Sequence, residues 1–154
     1  MTRELQSYIK WTEKDAGYHN CRFLPVIVIV TATPGKPTSQ TSTILHNRMA
    51  FLAEQHRDLV ANPLTGAPDE VQTYRRQPPL LYGVILVKTN AVLVTFDSAD
   101  PNATVKHLTT LKFEDDGQGV WSGFGLAFMA ICARDYQLTI MDEFEQKELE
   151  DPDL

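Results

Sequence analysis

Cysteine is nearly absent: the 154 residues contain only Cys21 and Cys132. Two are too few for the disulfide framework of a small secreted domain, and both read as buried thiols that pack as small hydrophobes. No run of about 18 apolar residues occurs, so no membrane-spanning helix is expected. The opening segment, MTRELQSYIKWTEKD, is polar and charged and does not read as a secretion signal. The expectation is an intracellular protein, cytoplasmic or nuclear. Basic residues are also scarce, with 14 Lys and Arg against 20 Asp and Glu. The acidic excess is local. Residues 142–154 carry Asp142, Glu143, Glu145, Glu148, Glu150, Asp151 and Asp153 against Lys147 alone, which accounts for the whole net charge of −6 and leaves residues 1–141 neutral. A neutral body with an acidic tail offers little to a phosphate backbone, so nucleic acid is not an expected partner.

What the chain does have is material for a core. Hydrophobic residues make up 43% and charged residues 22%, which excludes a disordered or fibrous class. A chain of this length buries roughly two thirds of its unfolded surface. One globular domain is expected over residues 1–141, followed by an acidic tail at 142–154. A long loop, NPLTGAPDEVQTYRRQPP at 62–79, holds four of the nine prolines and is the expected site of proteolysis.

The element pattern is helix, strand, helix, long loop, strand hairpin, edge strand, helix. Leu5, Tyr8, Ile9 and Thr12 share a face over 2–15, with Gly17 as a stop. Residues 22–31 contain Val26, Ile27, Val28, Ile29 and Val30, all β-branched. Such a run predicts a strand buried on both faces at the centre of a covered sheet. A helix follows over about 42–61, capped by Ser42 or Thr43, with Leu45, Met49, Leu52, His56 and Leu59 on one stripe. LLYGVILV at 80–87 and AVLVTF at 91–96 predict a hairpin turning at Thr89-Asn90. Residues 104–113 alternate as an edge strand does, and 118–138 form a helix apolar nearly all round and therefore expected to be buried. Alternating helices and strands imply an α/β or α+β domain with a mixed central sheet flanked by helices.

Four segments carry a resemblance. VIVIVTATPG, TSTILHNRMAFLAEQHRDLV, PPLLYGVILVKTNAVLVTF and VWSGFGLAFMAICARDY occur in the order of a strand, helix, hairpin and closing helix. Over roughly residues 22–138 this resembles the C-terminal part of the fungal PD-(D/E)XK nuclease-like domain family. The resemblance implies a restriction-endonuclease-like fold, here truncated on its N-terminal side, because only about twenty residues precede the first strand. In that family the strand ends in Glu-x-Lys, which binds a divalent metal and positions the attacking water. Aligned on Pro34-Gly35, Thr31 takes the Glu position and Thr33 the Lys position. A hydroxyl offers neither the anionic oxygen that Mg²⁺ needs nor the positive charge of lysine. No catalytic residue carries over.

Two readings of function follow. The first is a non-catalytic protein-interaction or assembly domain on a degenerate nuclease-like scaffold. It needs no cofactor, and it works as a homodimer or with a protein partner through an open sheet edge at Cys21–Thr33. The second is a metal-dependent nuclease or nucleic-acid binder with a relocated carboxylate site at Asp97, Asp100 and Glu114, using Mg or Mn. Asp97 and Asp100 also fit plain turn chemistry. Tyr74, Arg75 and Arg76 form a small basic-aromatic cluster able to grip a phosphate, an acidic partner or the chain's own tail. Glu145-Gln146-Lys147 matches Glu-x-Lys literally, but it lies in the tail. His19, His46, His56 and His107 show no metal-binding spacing, and the serines show no nucleophile elbow.

Overall fold

The computed structural model describes residues 2–66, 71–143 and 145–146. In chain order its elements are helix α1 (Thr2–Asp15), strands β1 (Cys21–Arg22) and β2 (Ile27–Thr31), and helix α2 (Thr38–Val60). Strands β3 (Leu80–Val87), β4 (Asn90–Asp97) and β5 (Lys106–Lys112) follow, then helix α3 (Gln118–Leu138), a 3-10 turn (Met141–Glu143) and strand β6 (Glu145–Gln146). The main sheet has the order β2-β3-β4-β5. β2 runs parallel to β3, and the other neighbours are antiparallel. This is the expected α/β class with a mixed, helix-flanked sheet.

Alternation along the strands splits the core in two. On one face Leu45, Met49, Leu52 and Ala53 of α2 pack against Val30, Leu81, Ile85, Val94 and Phe96. On the other, Leu5 of α1 and Leu126 and Met129 of α3 meet Val84, Leu86, Ala91 and Leu93. Strand β3 is apolar on both faces because both are covered. Its one glycine sets how close α2 comes. A Cβ on Gly83 would lie 2.6 Å from Val94 Cγ2 and 2.8 Å from Met49 Sδ.

Several expectations are corrected. The run at 22–31 is not a central strand. Pro25 falls in its middle, where it cannot donate to a ladder, and the segment divides into β1 and β2. β2 lies at one edge of the main sheet. The stripe of α2 buries Leu45, Met49, Leu52 and His56, but Leu59 is exposed and Val60 takes the inner place. That helix starts at Thr38, straight after Pro37, since a proline's fixed φ suits a helix entry. The hairpin turns one residue early: Val87 pairs with Asn90, leaving Lys88 at φ +52° and Thr89 in the turn. The cysteines are half-buried and form no disulfide. The loop at 62–79 is tied at its base, where Asn62 N donates to Thr73 O and Arg75 N to Val60 O. Past Leu138 the chain makes the 3-10 turn and then β6, which pairs with β1. Glu145-Gln146, expected off any sheet, therefore lies on a two-residue strand. Residues 67–70 of the loop and 144 and 147–154 of the tail lie outside the described residues.

Candidate functional site

Thr31 closes β2 with its hydroxyl 3.1 Å from that of Thr2. Thr33 is exposed in the following turn, where its carbonyl accepts from Lys36 N. Among the described residues, neither has a charged partner at hydrogen-bond distance. The relocated carboxylates do not converge. Asp97 Oδ1 accepts from Ala99 N at 3.0 Å, and Asp100 Oδ1 from Asn102 N at 2.8 Å. Both are used as turn acceptors. Thr95 pairs with Lys106 and Asn90 with Lys112. Asp97 and Asp100 therefore sit at one end of the β4–β5 ladder and Glu114 beyond the other, a strand length of about 20 Å away. Among the described residues, no group of three or more His, Cys, Asp or Glu is placed to share a metal ion. A Mg or Mn site on these three carboxylates has no geometric support.

The basic-aromatic cluster is tied to the body. Tyr74 bridges to Ala61, and Arg75 Nη2 donates to Leu59 O at 3.0 Å. Both arginines meet Glu143. Arg75 Nη2 lies 3.2 Å from its Oε2, and Arg76 Nη1 donates to its Oε1. Of the alternatives open in the sequence, the structure shows pairing with the first turn of the acidic tail. The hydrogen bond from Arg76 holds the Glu143 carboxyl below the usual carboxylate range. Burial opposes the charge on Arg76, but Glu143 and the Tyr136 phenol outweigh it and raise the arginine's pKa. Tyr136 Oη favours that charge from close by, although neither it nor Arg76 Nε finds a partner of hydrogen-bond geometry.

Arg75, Arg76 and Glu143 line one side of a cleft of about 460 Å³, closed elsewhere by Arg22, Phe23, Leu24, His56, Leu59 and Ile140. His56 comes from the inner face of α2 and is only 1% exposed. Its Nε2 lies 2.9 Å from the Pro25 carbonyl, while Nδ1 has no hydrogen-bond partner. Burial pushes its pKa down, the Pro25 carbonyl opposes this, and Arg76 adds to the depression. In sequence His56 reads as an ordinary core residue, and nothing there places it beside Arg76 and Glu143.

The largest departure from expectation is α3. It is not buried all round. Ser122, Leu126, Met129, Ala130 and Ala133 face inward, while Val120, Trp121, Phe124 and Phe128 are 68%, 71%, 61% and 69% exposed. Spacings of three and four residues put these side chains on one stripe. Trp121 and Phe124 have ring centroids 6.0 Å apart. Beside the stripe, Gly125 lets the helix settle on β5, since a Cβ there would come within 3.2 Å of Leu111. No Asp, Glu, Lys, Arg or His occurs between Gly117 and Ala133. The exposed apolar residues of α2, such as Phe51, are by contrast interleaved with Arg48, Glu54, Arg57 and Asp58.

No described helix is long and apolar enough to cross a membrane. No family model, curated protein or solved structure matches the chain.

Proposed function

We propose that the protein is a non-catalytic assembly domain that pairs with a second copy of itself through α3. One observation carries this reading: the charge-free stripe of Val120, Trp121, Phe124 and Phe128, each more than 60% exposed. Monomers rarely leave contiguous apolar patches above a few hundred Å² open to water. Three aromatics of roughly 150–250 Å² each, about two thirds exposed, give with Val120 on the order of 500 Å². Two such faces together approach the roughly 1,000 Å² at which an interface becomes stable. A second copy is the favoured occupant because the stripe carries no charge for a complementary partner to read. A two-fold axis sets like against like, so an uncharged face is matched by itself. The open edge of β2 lies near α1, with a groove of about 420 Å³ between them, and is a secondary surface at most.

Substitution of Phe124→Asp, or of Trp121→Ala with Phe128→Ala, tests the reading by sedimentation velocity. All three positions are solvent-exposed, so the fold is expected to persist with an unchanged far-ultraviolet spectrum. Aromatic anchors at an interface carry about 2 kcal/mol or more, so self-association is expected to weaken at least about tenfold. Self-association that survives both variants unchanged removes α3 from the interface.

A further inference from the structure

The two edges of the main sheet are unlike, and the difference carries a second inference, independent of the pairing through α3. β5 holds Lys106 and Lys112, and its pairing with β4 slips at Leu93/Val94. Lysines and irregular register are common guards of an exposed edge. β2, the other edge, reads Ile-Val-Ile-Val-Thr and keeps an unbroken register with β3. It has no charge, no proline and no bulge.

Register fixes which backbone groups of β2 are left over. Tyr82 N donates to Val26 O, and Ala32 N donates to Leu86 O. Alternate residues of a parallel strand bond the same neighbour, so Val26, Val28, Val30 and Ala32 face β3. The N–H and C=O groups of Ile27, Ile29 and Thr31 point the other way. Among the described residues, none of these groups has a hydrogen-bond partner. Donors and acceptors alternating along a line are matched by one kind of partner, an extended main chain.

Beside this edge, the groove between α1 and β2 has a volume of about 420 Å³, with Ile9, Phe23, Ile27 and Ile29 on its walls. Strand side chains alternate in direction, so every second side chain of an added strand falls on the side of Ile27 and Ile29. Lys10 lines the same groove, is exposed and has no ion pair among the described residues. The other charge there, Glu13, acts on Tyr18. We propose that β2 takes up an extended segment of another protein as a fifth strand of the sheet, apolar at alternate positions and with a carboxylate side chain for Lys10. A second copy of this chain fits the edge less well. It would bring its own Ile27 and Ile29 with a groove behind them, and so merge two empty grooves instead of filling one.

Selection from a phage-displayed library of random peptides of about ten residues, panned on the full chain, tests this. Enriched peptides are expected to alternate apolar and polar residues and to include Asp or Glu. They should bind Phe124→Asp as tightly as wild type. Thr31→Pro removes an N–H that bonds nothing within the chain, at an edge position where proline is tolerated. It should weaken these peptides at least about tenfold, through a lost hydrogen bond and the bulk of the ring. Thr31→Val keeps the N–H, loses only the hydroxyl contact with Thr2, and should leave binding within about twofold. Lys10→Glu leaves the sheet untouched and should weaken binding several-fold. Failure to enrich any peptide overturns the proposal, as does equal affinity for Thr31→Pro or for Lys10→Glu. Loss of binding in Phe124→Asp overturns it by assigning the peptides to α3. If Phe124→Asp still self-associates and adding Thr31→Pro abolishes this, the edge belongs to a second copy and the proposal falls.

Discussion

Lowering the pH from 7.5 to 5.5 is expected to destabilise the fold through His56. Burial holds the folded pKa of this ring below its unfolded value near 6.5. Below that value the unfolded chain takes up the proton more readily than the native state, so stability falls as the pH falls. The contribution is complete above about pH 6.5 and is lost on descent toward the folded pKa. Urea unfolding at pH 7.5 and 5.5 measures it: His56→Gln should flatten the difference, and an undiminished slope in that variant would assign it to other groups. Gly83 gives a second residue-scale test. A Cβ there must push aside Val94 and Met49, and overpacking of this kind costs about 1–3 kcal/mol. Gly83→Ala should lower the melting temperature by several degrees, whereas an unchanged value would mean that α2 can lift from the sheet freely. At this scale the sequence is only half informative. Tyr74, Arg75 and Arg76 stand out as a basic-aromatic run, because neighbours in sequence are visible together. Their partners His56, Tyr136 and Glu143 lie tens of residues away, and only the fold gathers them.

Elements were more legible than sites, and the reasons are local. β3 and β4 match their apolar runs almost residue for residue, because strand propensity, burial and a short turn all agree there. α1 has the expected bounds, since the periodic face of Leu5 and Thr12 ends at Gly17, with φ +84°. The run at 22–31 misled because β-branched residues suit an edge strand as well as a central one, and because Pro25 interrupts it. α3 misled for a deeper reason. An all-round apolar composition normally signals burial on every side. Here one side finds the sheet through Leu126 and Met129, while the other leaves Trp121, Phe124 and Phe128 in solvent. The surplus apolar face, excessive for one protomer, becomes reasonable when the helix has a second surface to cover. Substitutions along it are therefore expected to change assembly far more than thermal stability of the protomer, the opposite of what core positions such as Leu126 or Met129 should show. A parallel melt of Phe124→Asp and Leu126→Ala checks this. Leu126→Ala should cost about 2–5 kcal/mol, and Phe124→Asp little.

For the whole molecule, charge and shape point the same way. The formal charge of residues 1–141 is zero, and the acid lies in the tail. Long-range repulsion between bodies is therefore weak, and screening by salt should matter little to an apolar contact. Glu143 and β6 fold the first part of that tail back onto β1 and the two arginines, on a cleft formed apart from the exposed stripe of α3. The most direct test of the central claim is light scattering coupled to size-exclusion chromatography, run on the wild-type chain at two concentrations about tenfold apart. Pairing through α3 predicts a mass near twice 17.4 kDa at the higher concentration, with the same value or partial dissociation at the lower. A mass of one protomer at both concentrations would contradict it.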